Sequence, residues 1–477
     1  MATDRSITDE LSSFVAEADC TDLTPEVVRS TTMHIIDWFG CVLAGSRSET
    51  GRIALSSRLN GCKGGGSTMI GNDHTVSPSS AALANGIMSH SVELDDVDRL
   101  SLAHPGVTII PAALAVAEQL KCSGQNLILA VALGYEIFSR IGQAIVPECY
   151  RRGWHSTGIC GIFGAATACS KLLGAAASEV QSALGNAGTL AAGLQQYAHE
   201  GAMSKCLHAG HAASLGLIAA DISVCGLTGA HFILEGESGV LKIFAPSKYS
   251  HADDLPTAAN QILDSLPVTG TKRAWRILKT SFKPYACVRP FHPAVQELLS
   301  LMNRERLSAD SIESIVVRTN MIPYKYFAGD SIPTPYAAML NIKYTLALVA
   351  ATGRADHRVF TEEALRRPEV IRLASRVQIL EDPNLSRKLP GSLTACVIDV
   401  VRTDRGRILR SEPAYALGDP ENPMTEPALE EKFKDLGGDA IGPADTIRIL
   451  ASLRDLQNIE DVAVFMSELR RALCITQ

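Results

Sequence analysis

Residues 157–177 read TGICGIFGAATACSKLLGAAA, and residues 208–226 read HAGHAASLGLIAADISVCG. Alanine and glycine dominate both stretches. Small side chains let helix backbones approach closely, so this region predicts tightly packed, largely buried helices. Lys171, Glu179, Lys205 and Asp221 interrupt every candidate membrane span in it.

Working outward, the N-terminal side reads as one helix after another. DLTPEVVRSTTMHIIDWFGCVLAGS places Thr24 as N-cap and Pro25 at the first helical position, with Val28, Ile35, Phe39 and Val42 at helical spacing and Gly45 as the expected stop. Apolar helices follow at PSSAALANGIMSH, TIIPAALAVAEQL and NLILAVALGYEIFSRIGQAI. On the C-terminal side the texture changes near residue 245, where APSKYSHADDLP reads as a loop. Beyond about residue 270 strand patterns appear: SIESIVVRT (311–319) and ACVIDVVRT (395–403), the latter turning through Asp404-Arg405-Gly406 into RILRSE as a hairpin. After GDPENPMT (418–425) helical patterns return. The expected fold is mainly α. A large all-α domain is formed from both chain ends (1–270 and 409–477), and a smaller α+β domain (271–408) is inserted between them.

With 46% hydrophobic and 20% charged residues over 477 positions, the chain has ample material for a core. A net charge of -7 without basic runs argues against a nucleic-acid partner. The N-terminus lacks a signal-peptide pattern or an evident transit peptide, and no stretch of about 18 uninterrupted apolar residues follows. The expectation is a soluble, cytoplasmic protein without membrane partners, mitochondrial being the alternative in a eukaryote. The 12 cysteines are scattered singly with no C-x-x-C pair, which argues against zinc-ribbon, thioredoxin-like or iron-sulfur motifs.

Four segments concentrate chemistry. HSVELDDVDRLSLAHPG (90–106) gathers Glu93, Asp95, Asp96 and Asp98 between His90 and His104, and the last histidine stands at a helix mouth where the dipole favours an anion and a neutral ring. Alone, this could be a solvated acidic loop, a hard-cation site or acid/base apparatus. GWHSTGICGIFGAA (153–166) sets His155 before Ser156 and Thr157, both good caps. HEGAMSKCLHAGHAASLG (199–216) puts Lys205, His208 and His211 roughly along one helical face. A buried ammonium there would need a carboxylate partner, from the protein or a substrate. SFKPYACVRPFHPAVQ (281–296) crowds Lys283, Tyr285, Arg289 and His292 around prolines; the arginine fork suits a substrate carboxylate, a surface loop being the plain alternative.

In their order along the chain, H-S-V-E-L-D-D followed by His104, then GWHSTG, GAMSKCLHAGHAA, KPYACVRPFHPA and GDPENPMT, these segments resemble the MmgE/PrpD family, which includes 2-methylcitrate dehydratase, cis-aconitate decarboxylase and iminodisuccinate epimerase. The resemblance spans nearly the whole chain. It implies a helical domain with a smaller α+β lid, a homodimer, a site between domain and lid, and neither metal nor organic cofactor. By motif, it assigns the family's acidic positions to Glu93, Asp95 and Asp96, its histidines to His104 and His155, and its lysine to Lys205. The lid tyrosine falls on Tyr326, or on Tyr324 close by. Val97 stands where decarboxylases carry Thr or Tyr, Asp98 follows it where many relatives have histidine, and R-P-F-H around Arg289 is closer to the dehydratases and epimerases.

The implied chemistry is proton movement at a carbon of a di- or tricarboxylic acid. His104 and His155 form the expected acid/base pair, oriented by Asp95 or Asp96, with Tyr326 as a lid proton donor. Lys205 and Arg289 bind carboxylates, and Glu93, Lys283, His208 and His292 complete the substrate-binding set. On these residues dehydration of a 2-methylcitrate-like acid ranks first, decarboxylation of a cis-aconitate-like acid second, epimerisation third. Two rivals stand outside enzymology: an inactive carboxylate-binding homologue, and a helical metal-binding protein using the acidic cluster and His90.

Overall fold

The computed structural model describes residues 6–475 apart from 61–63, 252, 253, 265, 268–274, 332, 405, 407 and 414. Helices dominate it, as the sequence patterns predict. Seven of them position the site: α1 (Pro25–Arg47), α2 (Pro78–Ser89), α3 (Gly106–Leu120), α4 (Gly124–Ile145), α5 (Ser156–Leu172), α6 (Ser204–Val224) and α7 (Glu426–Ile441).

The alanine–glycine stretch is α5, and α6 follows it as a neighbour in the packing. Helix α5 lies between α4, α3 and α6, and almost every residue from Ser156 to Ser170 is buried. Small residues make this possible: a Cβ built on Gly164 would lie 3.0 Å from the carbonyl oxygen of Gly134 on α4. Helix α4 is long and apolar enough to cross a membrane (mean hydropathy 1.3), yet 94% of that window is buried inside the protein, which is the position of a core helix.

Thr24 caps α1 by accepting from the Val27 amide, with Pro25 in the first turn. The helix does not stop at Gly45 but runs on to Arg47. Gly45 is the point where α1 meets the end of α2, close enough that a side chain would collide with the Met88 carbonyl. Close approach, not termination, accounts for that glycine. The loop read from residue 245 is also shorter than expected, because a helix spans Asp254–Leu263.

Apart from a two-stranded antiparallel pair (Ser67–Thr68 with Thr75–Val76), the described strands form one sheet: β1 (Ile312–Thr319), β2 (Val377–Glu381), β3 (Cys396–Arg402) and β4 (Ile408–Ser411), in the order β2-β1-β3-β4. Strands β1 and β2 are parallel (Ile315 opposite Val377), while β1 and β3 (Val317 opposite Ile398) and β3 and β4 (Val400 opposite Leu409) are antiparallel. The expected hairpin is therefore β3–β4; Arg405 of its turn lies outside the described residues. The C-terminal helices return to the start of the chain. On α7, Lys432 Nζ meets Asp37 Oδ1 of α1 at 2.6 Å, Arg47 donates to the Ala440 carbonyl at 2.9 Å, and the later Phe465 ring packs edge-on against Phe39 at 5.6 Å.

Candidate active site

The segment between α2 and α3 carries the acidic cluster, and it is not a solvated loop. Glu93, Asp95, Asp96 and Asp98 are 0%, 2%, 4% and 2% exposed. Carboxylates taken out of water need partners. Glu93 has two: Lys205 on α6 bonds one oxygen, and Lys283 Nζ lies 3.2 Å from the other. Burial alone would raise the Glu93 pKa, but the two ammoniums outweigh it and hold it at about 2. Its backbone sits in the left-handed region (φ 54), an uncommon conformation for a side chain of this size and one that marks a tightly determined position.

Asp95 gathers imidazoles. Its Oδ2 lies 2.7 Å from His104 Nδ1 and 3.0 Å from His90 Nδ1, while Lys283 Nζ stands 3.8 Å from Oδ1. Against the upward push of burial, these positive or donating neighbours hold its pKa well below the carboxylate range. Asp96 is the mechanical anchor of the loop. It accepts from the Gly106 amide at the N-terminus of α3 (2.9 Å) and from the Tyr135 hydroxyl of α4 (2.6 Å), with His34 Nδ1 of α1 at 2.9 Å. Only glycine fits at 106, since a Cβ there would stand 2.8 Å from both the Asp96 carboxylate and the Tyr135 hydroxyl.

His155 forms the N-cap of α5, and its Nδ1 lies 3.0 Å from Nδ1 of His208 on α6. The two expected caps, Ser156 and Thr157, serve the loop instead: Ser156 donates to the Leu102 carbonyl at 2.6 Å, and Thr157 accepts from the His104 amide at 3.2 Å. Those two bonds lock the mouth of α5 to the mouth of α3, which brings His104 and His155 together around His90. Ring centroids are 4.7 Å apart for His90 and His104 and 6.3 Å apart for His90 and His155. Burial lowers every one of these imidazoles; His104 falls to about 4 despite the Asp95 carboxylate, and His155, beside His208 and His90, falls well below its ordinary value. At neutral pH the free site therefore presents neutral rings.

His104, His155 and Lys205 share a cavity with Tyr150 and Tyr197. The rest of its wall includes Val97, Leu102, Val288, Ile322, Phe327 and Leu393, so polar and apolar residues share the lining, the last four coming from the segments beyond 285. Residues 9–252 match the MmgE/PrpD N-terminal domain, and residues 285–456 match the MmgE/PrpD C-terminal domain. The chain belongs to the MmgE/PrpD family. It is 27% identical to the cis-aconitate decarboxylase-like protein oryM of Aspergillus oryzae over 483 residues, covering 97% of each chain. It is 28% identical to the cis-aconitate decarboxylase of Homo sapiens (98% of this chain, 95% of the relative) and 25% identical to that of Aspergillus terreus (96% and 94%).

The MmgE/PrpD motifs converge in space, although not every residue carried over from them reaches the cavity. Glu93 and Asp95 stand behind the wall, holding Lys205 and His104, and Asp96 lies a layer deeper still. Arg289 reaches the wall, but its fork is occupied by Asp419 (2.8 Å) and by the carbonyls of Phe282 (3.0 Å) and Leu417 (3.1 Å). It therefore clamps the 283–292 segment to the GDPENP turn, with Nε the one guanidinium nitrogen left without a hydrogen-bond partner among the described residues. Lys283 is fully buried and bound to Glu93, so it is a counter-ion rather than a substrate ligand. His292 is likewise buried, bonded to the Cys287 carbonyl and to Arg289. His208 stands behind His155, off the cavity wall.

Of the two lid tyrosines, Tyr324 is 49% exposed and Tyr326 only 5%. Neither lines the cavity, because the short helix Met321–Tyr326 ends there and Phe327 supplies the wall; Tyr326 packs edge-on behind Tyr150 at 5.6 Å. The tyrosines that do line it, Tyr150 and Tyr197, lie just outside the segments singled out in the sequence, Tyr150 three residues before GWHSTG and Tyr197 two before HEGAMSK. His90 was visible there only as a bracket to the acidic run. His90, Asp95 and His104 also have donor atoms within 4.8 Å of one another, as a metal site would. Both imidazole Nδ1 atoms are turned onto a single carboxylate oxygen, and the Lys283 ammonium stands at the other. A divalent ion would have to break both hydrogen bonds and sit beside that positive charge, so the geometry fits an orienting carboxylate better than a metal centre.

These neutral histidines set an acid limit on stability. With a folded pKa near 4 against about 6.5 in the unfolded chain, the unfolded state binds more protons between those values, so stability is full above 6.5 and falls as pH drops toward 4. His104 alone contributes a loss of about 2 kcal/mol by pH 5. Urea unfolding at pH 7.5 and pH 5 reads this directly, and an unchanged midpoint would contradict the neutral-ring assignment.

Proposed function

We propose that this protein is a carboxy-lyase acting on cis-aconitate or a close tricarboxylate analogue. Lys205 meets a substrate carboxylate, and His104 and His155 serve as the proton-handling pair. In this reaction the bond to one carboxylate breaks and carbon dioxide leaves. Its electron pair forms a terminal methylene double bond, and the carbon at the far end of the old double bond takes a proton. A trianion thus becomes a dianion, at the expense of one proton per turnover.

The observation that carries this reading is the mixed lining of the cavity. Two imidazoles and a lysine share its wall with Val97, Val288, Ile322, Phe327 and Leu393. The apolar residues disfavour a localised carboxylate charge and favour neutral carbon dioxide, while the lysine and the imidazoles keep the remaining carboxylates bound and a proton donor near. Relatives named as cis-aconitate decarboxylases over nearly their whole length support the same choice, and they reverse the ranking drawn from the motifs, which put dehydration first. Val97 belongs to the apolar part of the lining, so the reading needs no hydroxyl at that position.

The test is a screen of purified protein against cis-aconitate, citrate, 2-methylcitrate, longer alkylcitrates and iminodisuccinate, with products weighed by mass spectrometry. The expected outcome is loss of carbon dioxide from cis-aconitate. Loss of water alone from an alkylcitrate would restore dehydration to first place, and epimerisation would show as proton exchange in deuterated water without other mass change.

A further inference from the structure

We propose that the Tyr197 hydroxyl is an uncharged substrate ligand that works beside Lys205, the two holding a carboxylate that the substrate keeps. The choice of a kept carboxylate rests on the decarboxylation reading above. A donor to the departing carboxylate would stabilise the ground-state charge that the reaction disperses and so slow the step, whereas a donor to a carboxylate that remains leaves the barrier alone.

The segment that carries Tyr197 is built onto the turn that carries His155. The Gln195 amide donates to the Gly153 carbonyl, and its side chain donates to the Trp154 carbonyl, both at 2.8 Å. The short helix Gln196–Glu200 then ends on Gly201, whose left-handed backbone (φ 68) returns its amide to the Tyr197 carbonyl at 2.7 Å. This sets the Tyr197 ring edge-on against His155 (5.1 Å between centroids) and His208 (5.7 Å), on the wall of the cavity that Lys205 also lines.

The hydroxyl is the informative atom. Tyr197 is 4% exposed, and a phenol buried this far ordinarily spends its hydroxyl on the protein. Tyr135 donates to Asp96 at 2.6 Å, Tyr249 donates to the Ala144 carbonyl at 2.7 Å, and Tyr336 accepts from the Cys206 thiol at 3.2 Å. No described residue bonds the hydroxyl of Tyr197. Tyr150 shares that property, but its ring packs against Tyr326. Tyr197 is the one set among the neighbours of Lys205: Glu93, which bonds that lysine, and Cys206, which follows it on α6, both bear on its hydroxyl.

Charge explains why an uncharged donor suits this place. Lys205 is matched by Glu93, Arg289 by Asp419, and the His104 and His155 rings are held neutral. An incoming carboxylate therefore meets cations that already have anions. A hydrogen bond from a phenol adds hold without burying a further charge. The phenol also stays protonated, because burial first, and then Tyr150, Glu93 and Cys206, push its pKa well above the ordinary value.

Tyr197→Phe in the full-length protein tests this, with two unreactive probes in calorimetry. Propane-1,2,3-tricarboxylate is the saturated analogue of cis-aconitate, and methylenesuccinate is the dicarboxylate left when carbon dioxide has gone. Both Kd values are expected to rise by about tenfold or more, the cost of losing a hydrogen bond to a charged group. KM on cis-aconitate follows with kcat little changed, and the urea midpoint stays where it was, since the hydroxyl has no protein partner to lose. A rise under about threefold for both probes would overturn the proposal. So would a rise for the tricarboxylate alone, which places the hydroxyl on the departing carboxylate, a loss of kcat at constant KM, or a lowered urea midpoint. A wild type that binds neither probe removes it as well. Neither Kd needs turnover: if both shift as expected while no tricarboxylate loses carbon dioxide, only the reaction proposed above is lost, and if cis-aconitate is turned over with both Kd values untouched, only the role of Tyr197 is.

Discussion

Alanine at position 155 is expected to lower kcat by about 10²–10⁴-fold, and alanine at position 104 to do the same, while the folded protein survives both changes. The two rings are the titratable groups of the cavity wall whose Nε2 atoms have no bonding partner among the described residues. Each is oriented from behind through Nδ1, by Asp95 in one case and by His208 in the other. Removing a ring takes away the donor and leaves its orienting group facing empty space. Steady-state assays on the substrate identified by the screen decide the point: if both variants kept turnover within a few fold, proton transfer would have to come from elsewhere and the site assignment would be wrong.

The second large effect is on stability. Glu93→Ala leaves the ammoniums of Lys205 and Lys283 without their shared carboxylate, and Lys283 is then left with Asp95 alone, 3.8 Å away. Breaking a buried ion pair from one side costs about 3–5 kcal/mol, because the surviving charge stays desolvated. Urea unfolding is expected to show a loss of that size, with Glu93→Gln less affected because its amide oxygen still accepts from one ammonium. A loss below about 1 kcal/mol in the alanine variant would mean that the lysines reach water, contrary to the packing described here.

Glu93 and its lysines show where sequence reading succeeds and where it stops. Local signals were enough for the helices: Thr24 and Pro25 start α1, small residues mark α5 and α6, and alternation marks β1 and β3. The separate motifs were also enough to name the residues that converge, since His104, His155 and Lys205 do share one cavity. What the chain does not display is who faces whom. Glu93 meets its lysines across 112 and 190 positions, so its burial is invisible in HSVELDD, where four acids in six residues look solvated. Arg289 illustrates the same limit. Its type suits a substrate carboxylate, but the chain does not show that Asp419, 130 residues on, holds its Nη2. His208 was assigned to the substrate because it lies one turn from Lys205, and a single turn of helix separates a cavity wall from the layer behind it.

Lys432 has a consequence for how the enzyme is made. From α7, late in the chain, it bonds both Asp37 on the first long helix and the carbonyl of Leu94, between Glu93 and Asp95. A polypeptide that has reached residue 425 already contains every imidazole and acid of that loop and its braces from Ser281, Lys283, Asp419 and Glu421, but not the one from α7. Full bracing therefore waits for α7, and a fragment that stops short of it carries the imidazoles and acids without that last contact.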